Sequence, residues 1–118
     1  MLKVYGLKTC DTCRKARKWL DAKGIAHDFM DVRTDGLAKS DVARWVKAVG
    51  DETLVNRRGT TWRGLSNARR NDAVRGQAVQ LMLDHPALIK RPVFELDGEV
   101  IVGFGAAEQK ALMKLAGA

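Results

Sequence analysis

The two cysteines are the residues of this chain whose type and spacing point most directly to chemistry. Cys10 and Cys13 enclose a Cys-Asp-Thr-Cys motif and are the only cysteines among the 118 residues. The spacing allows the two sulfur atoms to form a disulfide, but a bridge that closes so short a loop would add little stability. The pair therefore indicates a redox or metal-binding role, and we expect the protein to occupy a reducing compartment, the cytoplasm.

The position of the motif predicts different roles for the two thiols. The motif follows a predicted strand and opens a predicted helix, where unpaired backbone N–H groups and the positive end of the helix dipole stabilise a thiolate. Lys8, Arg14 and Lys15 add positive charge nearby. We therefore predict that Cys10 is a nucleophile with a pKa below the ordinary value for cysteine. Cys13 lies one turn inside the helix, so we expect it to be more buried and to be a candidate resolving thiol.

Two other interpretations of the cysteines stay open. A zinc site needs four ligands, and the histidines, His27 and His85, lie 14 and 72 residues beyond Cys13, which matches no zinc-finger spacing. The two cysteines could also be ordinary buried side chains. Because a strand, a Cys-x-x-Cys motif and a helix follow one another here, the redox interpretation is favoured. We expect no metal site and no bound cofactor.

A second group of candidate residues surrounds a proline. Arg91-Pro92 comes just before a predicted strand, the position where a proline is tolerated because it donates no ladder hydrogen bond. Such an X-Pro bond can be cis, and Arg91 would offer a cation to an anionic substrate. The alternative is a trans-proline beside a surface arginine. The other candidates for substrate binding are Lys8, Thr9, Arg57 and Arg58.

The elements that would position these residues follow from hydrophobic periodicity and from turn residues. We predict strands over 2–6, 25–32, 93–96 and 100–102, with Asp97-Gly98 as a hairpin turn. Helices are predicted over 11–23, 39–49 and 106–116, and in pieces between 54 and 84, where Val74, Ala78, Leu81 and Met82 mark a buried stripe. The order β-α-β, helical block, β-β-α predicts an α/β fold with one mixed sheet. The whole chain, 1–118, is predicted to be a single domain with a helical insertion at about 37–86.

The composition limits the classes of function. The chain carries 21 Lys and Arg against 14 Asp and Glu, a net charge of +7, and 46% of its residues are apolar. That apolar fraction excludes wholesale disorder, and no apolar run is long enough to predict a membrane span. The basic residues are dispersed and are not interleaved with aromatic residues, so the pattern argues against a nucleic-acid-binding surface.

Several segments resemble the arsenate reductase (ArsC)/Spx family, and in particular its YffB-like branch. They are Tyr5-Gly6, Cys10-Asp11-Thr12, Lys15-Ala16-Arg17, Trp19-Leu20, the Leu-Val-Asn-Arg-Arg-Gly-Thr-Thr-Trp segment at 54–62 and the Leu-Ile-Lys-Arg-Pro-Val segment at 88–93. The resemblance implies a thioredoxin-like fold with a helical insertion. In such folds a cis-proline faces the cysteine motif, and here that residue would be Pro92.

The resemblance also implies roles for single residues. The catalytic cysteine of the family corresponds to Cys10. Its arsenate reductases hold an oxyanion with three arginines, of which one corresponds to Arg91 and a second to Arg57 or Arg58, with Arg57 favoured. The third would follow the last strand, where this chain has Phe104. The missing third arginine argues against arsenate as substrate.

These observations predict a thiol–disulfide oxidoreductase that uses glutathione as a co-substrate and acts on glutathionylated or other disulfide substrates. Arsenate reduction linked to glutathione and glutaredoxin is the alternative activity. A third alternative belongs to another class: a redox-sensing regulator, similar to Spx, that binds the α-subunit of RNA polymerase.

Overall fold

The computed structural model describes residues 1–73 and 76–117. Four strands are formed by Leu2–Gly6 (β1), His27–Asp31 (β2), Val93–Leu96 (β3) and Glu99–Val102 (β4). Seven α-helices lie within the described residues: Asp11–Ala22 (α1), Lys39–Val49 (α2), Asp51–Leu54 (α3), Thr60–Arg63 (α4), Asn67–Asp72 (α5), Ala78–Asp84 (α6) and Ala106–Leu115 (α7). A 3₁₀ turn covers Pro86–Leu88. Among these residues, no helix combines the length and the apolar character that a membrane span requires.

The chain divides into two compact units. The first contains Met1–Gly36 and Arg91–Ala118, and the second contains Leu37–Lys90. The second unit contains the segment at about 37–86 that the sequence predicts to be a helical insertion, and the single domain over 1–118 stays a prediction. Both cysteines, Arg91 and all four strands belong to the first unit.

The first unit is built on a four-stranded mixed sheet with the strand order β2-β1-β3-β4. β1 and β2 are parallel and are joined through α1, as the predicted β-α-β order requires. β3 runs antiparallel to both β1 and β4. The β3–β4 turn has positive φ at Asp97 (49°) and Gly98 (83°), the geometry of a tight two-residue hairpin. The predicted mixed α/β sheet is thus confirmed.

The core of the first unit joins one face of α1 to the sheet. Its fully buried members include Val4, Leu20, Phe94 and Leu112. Cys13, predicted to be the more buried thiol, is buried on α1 together with Ala16 and Leu20, because residues at i, i+3 and i+7 share a helix face. This packing fixes the orientation of the helix whose N-terminus carries Cys10.

The second unit consists of short helices. Val42 and Trp45 of α2 are fully buried, and α2 packs against α6, where Leu81 and Met82 are buried. The residue after α3, Val55, forms an antiparallel bridge with Ile89 near the end of the unit. The bridge thereby holds the segment that leads to Arg91 against the end of α3.

Several predicted boundaries were wrong in detail. β2 begins at His27 and not at residue 25, because the Ile25 N–H donates to the Leu20 carbonyl at 2.9 Å and so belongs to the end of α1. Helix α3 was not predicted, and α7 ends at Leu115, one residue before its predicted end. Val74, placed by periodicity on a buried stripe, lies outside the described residues.

Candidate active site

Cys10 is the N-cap residue of α1. Its backbone is extended (φ −81°, ψ 123°), its N–H donates to the Leu7 carbonyl at 3.1 Å, and its carbonyl accepts from the Arg14 N–H at 3.0 Å. The residue is half-buried and its thiol is reduced. The sulfur therefore lies where the first unpaired amides of the helix can stabilise negative charge, as the sequence predicted.

The pKa of Cys10 is lowered from its ordinary value. Burial alone would raise it, but interactions with the backbone amide and the thiol of Cys13, and with the guanidinium of Arg91, outweigh burial. Each of these groups offers a proton or a positive charge to the sulfur, so each favours the thiolate over the thiol. The amide at the helix terminus and Arg91 thus act in the same direction.

Cys13 has the opposite chemical character. It is fully buried, and burial together with the neighbouring Cys10 raises its pKa to about 11, although the Leu7 backbone and Arg91 lower it in part. Cys13 is therefore a thiol at neutral pH and can donate its proton toward the Cys10 sulfur. A Cβ at Gly6 would lie 2.5 Å from the Cys13 sulfur, so the close approach of β1 to this thiol requires glycine.

Arg91 and Pro92 lie at the start of β3. The Arg91–Pro92 peptide bond is cis, Pro92 is buried and Arg91 is half-buried. The Pro92 carbonyl accepts from the Gly103 N–H at 2.9 Å. The structure thus brings Arg91, predicted from the sequence, to the Cys10 thiol.

Lys8 and Thr9 are exposed in the loop between β1 and Cys10. The sequence predicted them as substrate-binding residues but did not single out the side chains that hold them. The Asp31 carboxylate accepts from the Lys8 N–H at 2.9 Å, and the Arg14 guanidinium donates to the Lys8 and Thr9 carbonyls at 3.2 and 3.3 Å. Sequence reasoning missed Asp31, because it reaches the loop only through the parallel register of β1 and β2, in which Asp31 pairs with Gly6.

Arg57 and Arg58 belong to the second unit and are exposed. Together with Lys90 they line a pocket of about 320 Å³ that also contains the carboxylate of Glu52. The Arg57 guanidinium lies 5.4 Å from the centre of the Trp62 ring. The two arginines thus share one cationic pocket in their own unit.

Phe104 packs into the first unit. Its ring lies 5.5 Å from that of Trp19 in an edge-to-face arrangement and 6.2 Å from that of Phe94. The position at which the family resemblance predicts a third arginine is therefore occupied by an apolar side chain that contributes to the core. Among the described residues, no group of three His, Cys, Asp or Glu side chains is placed to hold a metal ion.

Comparison with known proteins places this site in a family. The ArsC family profile matches residues 5–112. An uncharacterised protein of Haemophilus influenzae is 40% identical, covering 94% of this chain and 97% of its own. The global transcriptional regulator Spx 2 of Lactococcus lactis is 23% identical over 96% of this chain and 86% of its own.

Solved structures extend the similarity to the fold. The structure of a YFFB protein is 41% identical, covers 98% of this chain and 99% of its own, and superposes with a TM-score of 0.88. That of an arsenate reductase (ArsC) related protein from Brucella melitensis is 43% identical, covers 97% and 95%, and has a TM-score of 0.76. The predicted thioredoxin-like fold and the YffB-like resemblance are both confirmed. The chain belongs to the ArsC family, a family of thiol-based oxidoreductases that also has Spx regulators among its relatives.

Proposed function

We propose that the protein is a glutathione-dependent thiol–disulfide oxidoreductase with Cys10 as its nucleophile. The observation that carries the proposal is the pairing of Cys10 with two groups that stabilise its thiolate, the N-terminus of α1 and the Arg91 guanidinium. Only the thiolate attacks a disulfide, so a lowered pKa increases the reactive fraction at neutral pH. A reducing compartment that contains glutathione, such as the cytoplasm, would supply the co-substrate.

The reaction consists of two exchanges. The Cys10 thiolate attacks the glutathione sulfur of a mixed disulfide, so that a Cys10–glutathione disulfide forms and the partner leaves as a thiolate that takes a proton from water. A second glutathione thiolate then attacks the adduct, which releases glutathione disulfide and restores the Cys10 thiolate. In sum, one mixed disulfide and one glutathione become one free thiol and one glutathione disulfide.

Cys13 has a different role in this proposal. A pKa of about 11 and complete burial leave little thiolate at neutral pH, so an external glutathione is favoured over Cys13 as the resolving thiol. Cys13 acts instead as a proton donor that stabilises the Cys10 thiolate. Arg91 and the Pro92 backbone would dock the anionic glutathionyl group, with Lys8 and Thr9 at the edge of the site.

Two variants, assayed on a glutathionylated test protein, examine the proposal. Cys10→Ser should abolish turnover, whereas Cys13→Ser, which keeps a hydroxyl donor, should retain most of it. Treatment with glutathione disulfide should add one glutathione to wild-type protein at Cys10, as seen by intact mass and peptide mapping. Full turnover by Cys10→Ser would reject the proposal, and loss of turnover in Cys13→Ser alone would restore Cys13 as the resolving thiol.

Arsenate reduction is the second candidate activity, since the Brucella melitensis relative is described as related to arsenate reductase. The apolar environment of Phe104 argues against it, because a tetrahedral dianion would lose one of three expected cationic partners. Arsenate-dependent oxidation of glutathione, measured with glutaredoxin present, decides between the two activities.

The alternative that is not enzymatic is a regulatory function similar to that of Spx, and the similarity to Spx proteins favours it. This hypothesis requires a complex with the C-terminal domain of the RNA polymerase α-subunit that changes when Cys10 and Cys13 are oxidised. Co-purification of the two purified proteins, in the reduced and the oxidised state, is the discriminating measurement.

A further inference from the structure

The loop that carries Cys10 is held by two side chains from outside it. Between the end of β1 and Cys10, the Lys8 N–H is bound by the Asp31 carboxylate, and the Lys8 and Thr9 carbonyls are bound by the Arg14 guanidinium. Three of the four polar backbone groups of Lys8 and Thr9 are thus fixed immediately before the nucleophile. Together with the bond from the Cys10 N–H to the Leu7 carbonyl, these contacts hold the segment that leads to the Cys10 sulfur.

Asp31 is built into this position. Its side chain is buried, with the residue only 4% exposed, and it lies at the end of β2 beside the end of β1. Besides the Lys8 N–H, its other carboxylate oxygen accepts from the Arg33 N–H at 2.8 Å and the Thr34 N–H at 3.1 Å. A buried carboxylate is costly unless hydrogen-bonded, and here three amides satisfy it.

Arg14 completes the arrangement from the first turns of α1. Its Nε donates to the Lys8 carbonyl and one terminal nitrogen donates to the Thr9 carbonyl, so the planar guanidinium spans two successive peptide groups. A lysine ammonium would keep the charge but not this two-pronged geometry. Its ion pair with the highly exposed Asp11, at 4.0 Å, contributes little.

We propose that Asp31 and Arg14 are positioning residues for Cys10, which hold the Lys8–Thr9 segment so that the sulfur stays against the N-terminus of α1 and against Arg91. Neither residue touches the reacting atoms. This inference rests on the proposed function of Cys10 and assigns to it a supporting pair that the cysteine motif does not contain.

The direction in which the pKa of Cys10 changes in variants of Asp31 and Arg14 distinguishes a positioning role from a purely electrostatic one. Cys13 and Arg91 interact with the Cys10 sulfur. The charged residues nearest to it in the chain are Lys8, Asp11, Arg14 and Lys15, and Asp31 acts on the loop through the Lys8 N–H. If Asp31 acted only by its negative charge, Asp31→Asn would remove a destabilising anion and lower the pKa of Cys10. If Asp31 positions the loop, the result is the opposite. The NH₂ group of the asparagine must face either the Lys8 N–H or the N–H groups of Arg33 and Thr34, none of which can accept a hydrogen bond. The loop is then held less well, and the pKa of Cys10 rises. Arg14→Lys keeps the charge, so electrostatics alone predicts no change.

The experiment measures the alkylation rate of Cys10 against pH, together with ultraviolet thiolate absorbance, in wild type, Arg14→Lys and Asp31→Asn. We expect the Cys10 pKa to rise in both variants, with a loss of roughly three- to tenfold in alkylation rate at mildly acidic pH, where one pKa unit corresponds to about tenfold. Lys15→Gln removes a neighbouring exposed cation, and Asp35→Asn alters the Asp31 turn without touching Lys8. Both controls should change the rate less than the two test variants do.

The outcomes distinguish this inference from the proposed function. A wild-type Cys10 with an ordinary pKa rejects the proposed function itself. A lowered wild-type pKa that persists in Arg14→Lys and Asp31→Asn, or that falls further in Asp31→Asn, overturns the positioning role alone. Circular dichroism shows whether each variant is folded. Arg14 is exposed, so Arg14→Lys decides the question if Asp31→Asn does not fold.

Discussion

At the scale of single residues, the Cys-x-x-Cys motif divides into an ionised and a protonated sulfur. Groups at the N-terminus of α1 stabilise the thiolate form of Cys10, while burial keeps Cys13 protonated. The short spacing that would allow a disulfide thus also lets the Cys13 thiol donate a hydrogen bond to the Cys10 thiolate. The reactivity of the motif depends on this asymmetry and not on the spacing alone.

The thiol of Cys13 should affect the titration of Cys10. In Cys13→Ala the proton donor is lost, so we expect the pKa of Cys10 to rise and its alkylation at neutral pH to slow by a few-fold. Cys13→Ser is the matched control, because its hydroxyl can still donate, and it should stay nearer to wild type. Equal alkylation profiles for the alanine and serine variants would show that the Cys13 side chain does not stabilise the thiolate.

Gly6 should be intolerant of any side chain. A methyl group at this position would lie against the Cys13 sulfur, so Gly6→Ala must displace Cys13 or β1, and overpacking of this kind costs about 1–3 kcal/mol. Urea unfolding measures the loss. Gly64→Ala is the control, since the backbone there is helical and the nearest atom would lie 3.4 Å away. A Gly6→Ala variant as stable as wild type would contradict the packing argument.

At the scale of elements, the β3–β4 hairpin is the clearest case of local sequence determining local structure. Asp97 and Gly98 both adopt positive φ, and the strands pair in register from Leu96 and Glu99 outward. The turn pairs β3 with β4, and the first residue of β3 follows Arg91-Pro92. The local sequence therefore determines the hairpin, whereas the pairing of β3 with β1 is a long-range contact.

Gly98→Ala should destabilise the protein. An alanine at φ 83° is strained by about 1–2 kcal/mol, which thermal or urea unfolding can detect. Gly98→Asn should lose less stability than Gly98→Ala, because asparagine tolerates the left-handed backbone conformation. An alanine variant more stable than the asparagine variant would argue against the positive φ at this turn.

At the scale of the whole molecule, Asp31 should link the stability of the protein to pH. Backbone amides, that of Lys8 first, lower the pKa of Asp31 in spite of burial. A carboxyl group whose pKa is lower in the folded state stabilises that state fully above its unfolded pKa of about 3.9. This stabilisation disappears as the pH falls through the lower native value.

Urea unfolding at a series of pH values checks this linkage. Asp31→Asn should have a smaller free energy of unfolding than wild type at neutral pH. The difference between the two should become steadily smaller as the pH is lowered. Asp28→Asn, which removes an exposed carboxylate from the same strand, should show no such narrowing. A gap between wild type and Asp31→Asn that is independent of pH would mean that ionisation of Asp31 does not contribute.

The net charge of +7 does not make the molecule a nucleic-acid-binding protein in our interpretation. Several arginines of the second unit are engaged internally: Arg69 pairs with Asp84 at 2.7 Å, and Arg70 donates to the Arg63 carbonyl at 2.7 Å. We expect a fluorescent DNA duplex to bind only weakly, with Kd above about 10⁻⁶ M at physiological salt and without sequence preference. Tight, sequence-dependent binding in an anisotropy titration would contradict this.

The sequence by itself determined the parts of this protein whose cause is local. Periodicity and turn residues predicted the strands β1 and β3, the helices α1 and α2 and the hairpin at Asp97-Gly98, because hydrophobic spacing and backbone preferences act over a few residues. The same local reasoning predicted that Cys13 is more buried than Cys10, since both positions belong to the start of one helix.

Only the tertiary structure decided which distant groups meet at the sulfur. Arg91 is 81 residues from Cys10 in the chain, and Asp31 reaches the loop before Cys10 only because β1 and β2 are parallel and in register. Phe104 packs against the core through the rings of Trp19 and Phe94, which lie far from it in the chain or on another strand. Such contacts depend on how the strands are ordered and packed, which no local pattern encodes.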